Sequence, residues 1–221
     1  MSIKATELCK NYMVGGQRVA ALDGVSLEVG DGEYVTVVGA SGSGKTTLMN
    51  ILGCLDLPTS GSYFLDGDDV STLTDEELSE IRSVKIGFIF QSFNLIEGLT
   101  ALENVELPLL YRHVPKKRRR EIALEALESV SLSDRALHRP SEMSGGQQQR
   151  VAIARAIAEN PSIILADEPC GNLDSRSGRE VLDILSSLNQ SGKTIIMITH
   201  NEQTAAEAKR LIRISDGKIC S

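Results

Sequence analysis

Short apolar runs punctuate the chain, each too brief and too β-branched for a helix and each ending at a small or charged residue. Tyr34-Val35-Thr36-Val37-Val38 gives way to glycine, Ile163-Ile164-Leu165-Ala166 to Asp167-Glu168, and Thr194 to Thr199 to His200. Lys85 to Phe90 is a further strand, with Gln91 immediately after it. Between these runs the period becomes helical. Thr47 to Leu52 continues as a helix, and Ile122, Ala123, Ala126, Leu127 and Val130 form a core stripe behind Pro115, a residue suited to a helix start. Helical texture is expected from Ser92 onward, and an Ala-rich helix over Val151 to Ala158 should end near Asn160-Pro161. Val181, Leu182, Ile184, Leu185 and Leu188 line one helix face before Gly192, with Ser177 to Glu180 reading as its capping box; Thr74 to Glu77 reads as another. Toward the N-terminus the pattern alternates. Ile3 to Cys9 reads as an edge strand and Ala20 to Val29 as a strand-rich piece closed by Gly30-Asp31-Gly32, so antiparallel strands should precede the first buried one. Ser62 to Leu65 leads into a turn at Asp66-Gly67, and Leu211 to Cys220 reads as a hairpin turning at Ser215-Asp216-Gly217. No internal repeat or long linker interrupts this.

Composition narrows the picture. A chain of 221 residues suits one large domain or one domain with a subdomain. With 23 Lys+Arg against 30 Asp+Glu, the net charge of −7 argues against a broad nucleic-acid footprint. The basic run Lys116 to Arg120 reads as a solvated first helical turn; cations there oppose the helix dipole, so it is a weak pointer to an anionic neighbour. Four cysteines lack metal-ligand spacing, and with no signal peptide the expected setting is reducing and cytoplasmic. No apolar run approaches the roughly 18 residues of a membrane span. A protein of this kind working at a membrane needs another chain to cross it.

The sharpest chemical signal is Gly39-Ala40-Ser41-Gly42-Ser43-Gly44-Lys45-Thr46, which fills every fixed position of G-x-x-x-x-G-K-[ST] between a strand and a helix. Glycines let successive N–H groups converge on an anion; Lys45 adds a point charge for the β/γ-phosphates and the Thr46 hydroxyl a ligand for Mg²⁺. Gly39, Ser41, Gly42, Ser43, Gly44, Lys45, Thr46 and Thr47 are therefore the expected phosphate contacts. Asp167 and Glu168 stand at the C-terminal edge of an apolar strand, where open α/β sheets bind ligands. Gly145 and Gly146 open a helix and make a second anion-binding end. Taken singly, Gln91 reads as a loop hydrogen-bonder, His200 as a core histidine and Tyr12 as an ordinary loop tyrosine.

In this order and spacing, these motifs resemble the ATPase subunits of ATP-binding cassette (ABC) transporters over essentially the whole chain. Gly39 to Thr46 matches the family's Walker A, Gln91 its Q-loop, Met143-Ser144-Gly145-Gly146-Gln147 its signature, Ile163 to Asp167 its Walker B, Gly171-Asn172-Leu173-Asp174 its D-loop and His200 its switch histidine. The resemblance implies an α/β P-loop NTPase core with a mixed, largely parallel sheet. It also implies an N-terminal antiparallel β subdomain and a helical signature subdomain. Residues 1–91 and 160–221 would form the core with the β subdomain, and 92–159 the helical part. It further implies that Glu168 orients or deprotonates the attacking water, that Thr46, Asp167 and Gln91 support Mg²⁺, that His200 contacts the γ-phosphate, and that Tyr12 stacks on adenine. Two cassettes of the family bury two ATP molecules head to tail, so Ser144, Gly145, Gly146, Gln147 and Asp174 would serve the partner's nucleotide.

Two departures are Met143 in place of leucine, a nearly volume-conserving change, and Cys170 in place of threonine. Gly87 to Ile96 and Glu103 to Pro108 look like the lipoprotein-releasing and macrolide-exporter type, whose ATPases sit on the inner face of the cell membrane beside a permease subunit moving by mechanotransmission. Phe93 and Leu95 are the expected exposed docking residues. Because the chain ends soon after His200, no appended regulatory domain is expected. The alternative reading is a regulatory ABC ATPase acting on a cell-envelope or division partner without solute transport. Cassettes for DNA or ribosome work carry coiled-coil insertions or tandem copies, for which the interval from Gln91 to Ser144 is too short, and no N/T-K-x-D motif points to GTP.

Overall fold

The computed structural model describes residues 3–220. Its strands, in chain order, are Ile3–Val14 (β1), Gln17–Val29 (β2), Tyr34–Val38 (β3), Ser60–Leu65 (β4), Asp68–Asp69 (β5), Ile86–Phe90 (β6), Ile163–Asp167 (β7), Thr194–Thr199 (β8), Arg210–Ser215 (β9) and Lys218–Cys220 (β10). Its α-helices are Lys45–Leu52 (α1), Asp75–Lys85 (α2), Ala101–Tyr111 (α3), Lys116–Ser129 (α4), Gly145–Ile157 (α5), Ser175–Gln190 (α6) and Glu202–Ala205 (α7).

The strands form two sheets. One is antiparallel, in the order β2-β1-β4-β5; the other runs β10-β9-β3-β8-β7-β6 and is parallel except where β10 joins β9. The parallel strands read as continuous apolar runs because both faces are covered. In β7, Ile163 and Leu165 enter one core while Ile164 and Ala166 enter the other; β8 divides Ile196 and Ile198 from Ile195 and Met197 in the same way. The first core lies against α1 (Leu48, Met49, Ile51, Leu52) and the antiparallel sheet (Ile3, Leu8, Val25, Tyr63). The second is roofed by Leu102 and Val105 of α3, Leu127 of α4, Val151 and Ile153 of α5, and Val181 and Leu185 of α6. Each fully buried aliphatic side chain contributes about 1.5–3 kcal/mol, so both layers fix the strand ends where the site forms.

Several sequence expectations change. The segment Ile3 to Cys9 is not an edge, because β1 lies between β2 and β4. Its loose alternation comes from register shifts around Glu7, whose φ is 49°. Tyr12 sits on β1 rather than in a loop. Helix does not resume at Ser92; α3 starts only at Ala101, because the buried Asn104 side chain bonds the Ile96 N–H and the Ile96, Leu99 and Thr100 carbonyls, holding the preceding loop irregular. The expected box at Ser177 to Glu180 lies inside α6. Asp174 caps that helix, accepting from the N–H groups of Arg176 and Ser177 at 3.0 Å each, and the Ser177 hydroxyl turns back to it at 2.8 Å. An aspartate is a strong N-cap, and here it stands three residues ahead of the serine. Phe93 and Leu95 are half-buried, whereas Ile96 is 50% exposed. The Thr74 to Glu77 box forms as expected.

Candidate active site

β3 delivers the chain into the glycine loop and α1 carries it away. Gly44 is the N-cap of α1 with φ 103° and no side-chain cap, so the first helical N–H groups point into the loop unclaimed by a side chain. A Cβ at Gly44 would meet the Ala21 carbonyl, and one at Gly39 would meet the Ile214 carbonyl and the Ser43 hydroxyl, so both positions demand glycine. The Lys45 ammonium is largely buried and donates to the Gly39 and Ala40 carbonyls at 2.8 and 2.6 Å. Ser43 Oγ is buried without a hydrogen-bond partner, an orphaned polar atom inside an anion cradle.

Beside the loop opens a cavity of about 530 Å³ whose walls include Lys45, Thr46, Gln91, Asp167, Glu168 and His200. Four strand ends supply them: β3 feeds the loop, β6 ends before Gln91, β7 at Asp167 and β8 before His200. Glu168 adopts φ 46° and is fixed from three sides. Thr199 Oγ1 donates to its Oε2 at 2.9 Å, the His200 N–H to its Oε1 at 2.8 Å, and His200 Nδ1 lies 2.6 Å from the same oxygen. Burial first, and the Glu168 carboxylate second, raise the Asp167 carboxyl above its usual range, with Lys45 opposing. Among the described residues no group of three His, Cys, Asp or Glu side chains gathers to hold a metal. The oxygen donors Thr46, Asp167 and Gln91 suit a hard cation shared with substrate phosphates, since Mg²⁺ binds through one or two carboxylates plus phosphate.

Gln91 Nε2 donates to Asn172 Oδ1 at 3.1 Å, and Asn172 returns a bond to the Gln91 carbonyl, so the two loops are tied together. Ser144, Gly145, Gly146 and Gln147 are not among the cavity walls. Ser144 and Gln147 form a capping box on α5, and Gly146 packs against Ser177 at the start of α6. Asp174 likewise stands outside the cavity, occupied with capping. Tyr12 donates to Asp56 Oδ2 at 2.8 Å, with the Lys10 ammonium 5.2 Å from its ring; burial and then that bond raise its hydroxyl's pKa, and Thr47 also reaches it. Met143 is buried in the helical core as leucine would be, and the Cys170 thiol meets the Gly178 carbonyl at 3.5 Å, burial pushing it up to about 11. Thr199, Asn172 and Gln149 carried no expected role of their own; Asn172 was named only within the D-loop and Thr199 only as the strand end beside His200, while Gln149, two residues past the signature, had no signal.

A glycine loop that feeds a buried lysine into a cavity holding Asp167 and Glu168 at the end of a parallel strand is the arrangement of a phosphate-binding site. The family model described as ABC transporter matches residues 22–171, and the chain belongs to the ABC transporter family as its ATP-binding, ATP-hydrolysing cassette. It is 52% identical over 217 residues to an ABC transporter ATP-binding protein of Thermotoga maritima, covering 98% of this chain and 93% of that one. It is 53% identical over 219 residues to the macrolide export ATP-binding/permease protein MacB of Brucella melitensis, covering 99% of this chain but 34% of MacB. The solved dimer of the ATP-binding cassette MJ0796 in a post-hydrolysis state, bound to ADP and Pi, matches with a TM-score of 0.91 at 46% identity, covering 99% of this chain and 97% of that one.

Proposed function

We propose that the chain is the motor subunit of an exporter-type membrane complex, closing head to tail with a second copy around two ATP molecules. The observation that carries this is the single cavity lined by Lys45, Thr46, Gln91, Asp167, Glu168 and His200, with the signature residues turned elsewhere. In this reading Glu168 directs the attacking water, supported by Thr199 and His200, and His200 meets the γ-phosphate. Lys45 and the loop N–H groups neutralise phosphate charge, which is most of what phosphoryl transfer asks of a protein. Thr46, Asp167 and Gln91 hold Mg²⁺, which when bound offsets charge on the transferred phosphoryl group. Ser144 to Gln147, with Asp174, complete the partner's site, and Tyr12 stacks on adenine with Thr47 beside it. Residues 1–91 and 160–221 act as the nucleotide core with its β subdomain, and 92–159 as the helical subdomain.

The membrane partner docks in the groove of about 450 Å³ between α2, β6, α3 and α5, whose walls include Phe88, Phe90, Pro108 and Tyr111. No helix of the described residues is long and apolar enough to cross a membrane; in this reading the cassette rides on the cytoplasmic face of a permease, as the pairing of cassette and permease in MacB's name supports. Glu168→Gln is the test: hydrolysis should fall roughly 10²–10⁴-fold while ATP binding persists and a dimer accumulates with ATP. An unchanged rate removes Glu168 from the chemistry.

A further inference from the structure

Gln149 lies on α5 with none of its surface exposed, although its side chain is polar. Its Nε2 donates to two backbone carbonyls, Phe90 at 3.3 Å and Pro169 at 2.7 Å. Phe90 immediately precedes Gln91, and Pro169 immediately follows Glu168. Because β6 and β7 pair in parallel with Phe90 opposite Asp167, one amide spans the place where both strands release their functional residues. Its orientation is dictated by chemistry, since the flipped amide would aim Oε1 at two carbonyl oxygens. Oε1 is buried without a hydrogen-bond partner, which costs stability that an apolar side chain would not. Such local costs mark positions where geometry serves function.

The neighbouring geometry gives the amide a task. Glu168 holds φ 46°, a conformation that a non-glycine residue keeps only when its surroundings over-determine it. Gln149 pins the peptide unit just beyond it. Farther along α5, Arg155 donates to the Phe93 and Asn94 carbonyls at 2.9 and 2.6 Å, so one helix grips the Gln91 loop at both ends. That helix is capped by Ser144.

We propose that Gln149 is a positioning residue for hydrolysis: through the Phe90 and Pro169 carbonyls it locks the Gln91 and Glu168 loops to the helix that begins at the signature. Placement of the groups that direct water then depends on where α5 sits. The inference rests on the roles given to Gln91 and Glu168 above.

Gln149→Met keeps the length and bulk of the side chain and removes both donors. In the full chain it should leave nucleotide affinity and KM within about two-fold and lower kcat roughly ten- to a hundred-fold, the scale expected for a misplaced catalytic group. Combined with Gln91→Ala, the loss should fall short of the product of the two single losses, because part of each acts through the Gln91 loop. A folded Gln149→Met with kcat within about two-fold of the parent, or losses that multiply in the double variant, overturns the proposal. Gln149→Leu repeats the test if methionine fails to fold, and failure of both to fold assigns Gln149 to the fold and equally overturns it. Glu168→Gln separates the levels: if it hydrolyses normally, the underlying assignment is at fault; if it is slow while Gln149→Met is not, only the positioning role fails.

Discussion

Asp167 and Glu168 are adjacent in sequence but meet different surroundings. Glu168 is fixed by Thr199 and His200, whereas Asp167 is half-buried beside Glu168 and its carboxyl is raised above the ordinary 3.8. For a carboxyl with a raised folded value, the fold prefers the protonated form; at neutral pH its charge subtracts from stability, and that loss is recovered as pH falls through the folded value toward 3.8. Asp167→Asn should therefore melt higher than the parent at pH 7 in the absence of nucleotide, with the difference shrinking toward pH 3.8, while losing hydrolysis at least about a hundred-fold. Thermal melts across pH check the first part and phosphate release the second. Tyr12 divides into ring and hydroxyl. Tyr12→Phe should keep nucleotide affinity and cost about 1 kcal/mol of stability through the lost Asp56 bond, whereas Tyr12→Ala should weaken binding roughly five- to thirty-fold. Asp167, Glu168 and His200 were marked in the sequence because they follow apolar runs, and Lys45 because it closes the glycine loop, while the roles expected of Glu168 and His200 came from the resemblance. The roles of Thr199, Asn172 and Gln149 were not legible, because their importance comes from which strand ends the sheet order makes neighbours.

Among the elements, the strands were readable because two covered faces demand uninterrupted apolar residues, and β3, β6, β7 and β8 fall where those runs predict them, within a residue at each end. Boundaries failed where side chains compete for backbone groups. Asn104 kept the segment after Gln91 irregular, and Asp174 took the start of α6 from Ser177. The capping assignment has a thermal consequence: Asp174→Ala should lower Tm by roughly 2–4 °C for a chain of this size. At Ser177 the hydroxyl is spent on Asp174 itself, so Ser177→Ala should cost less than Asp174→Ala. The reverse order would return the cap to the serine.

At the scale of the molecule, the sheet places Walker-type loop, carboxylates and His200 around one cavity and leaves the signature helix start outside it. The groove on the far side of β6 is the docking place proposed for the membrane partner. Tyr111 is 80% exposed at its rim, so Tyr111→Asp should reduce co-purification with the permease about ten-fold and leave the isolated chain's hydrolysis unchanged. The antiparallel strands ahead of a largely parallel sheet were legible in outline, but the groove was not, since it forms only when α3 and α5 pack beside α2 and β6; Phe93 and Leu95, the residues expected there, are half-buried and are not among its walls. The site as a shared one is tested most directly by mixing two variants, Lys45→Ala and Ser144→Arg, each of which should be inactive alone. If the signature of one copy completes the phosphate site of the other, a one-to-one mixture forms pairs with one whole site and regains up to roughly a quarter of the parental hydrolysis. A mixture as silent as its components, or a Ser144→Arg chain that hydrolyses ATP by itself, would contradict it.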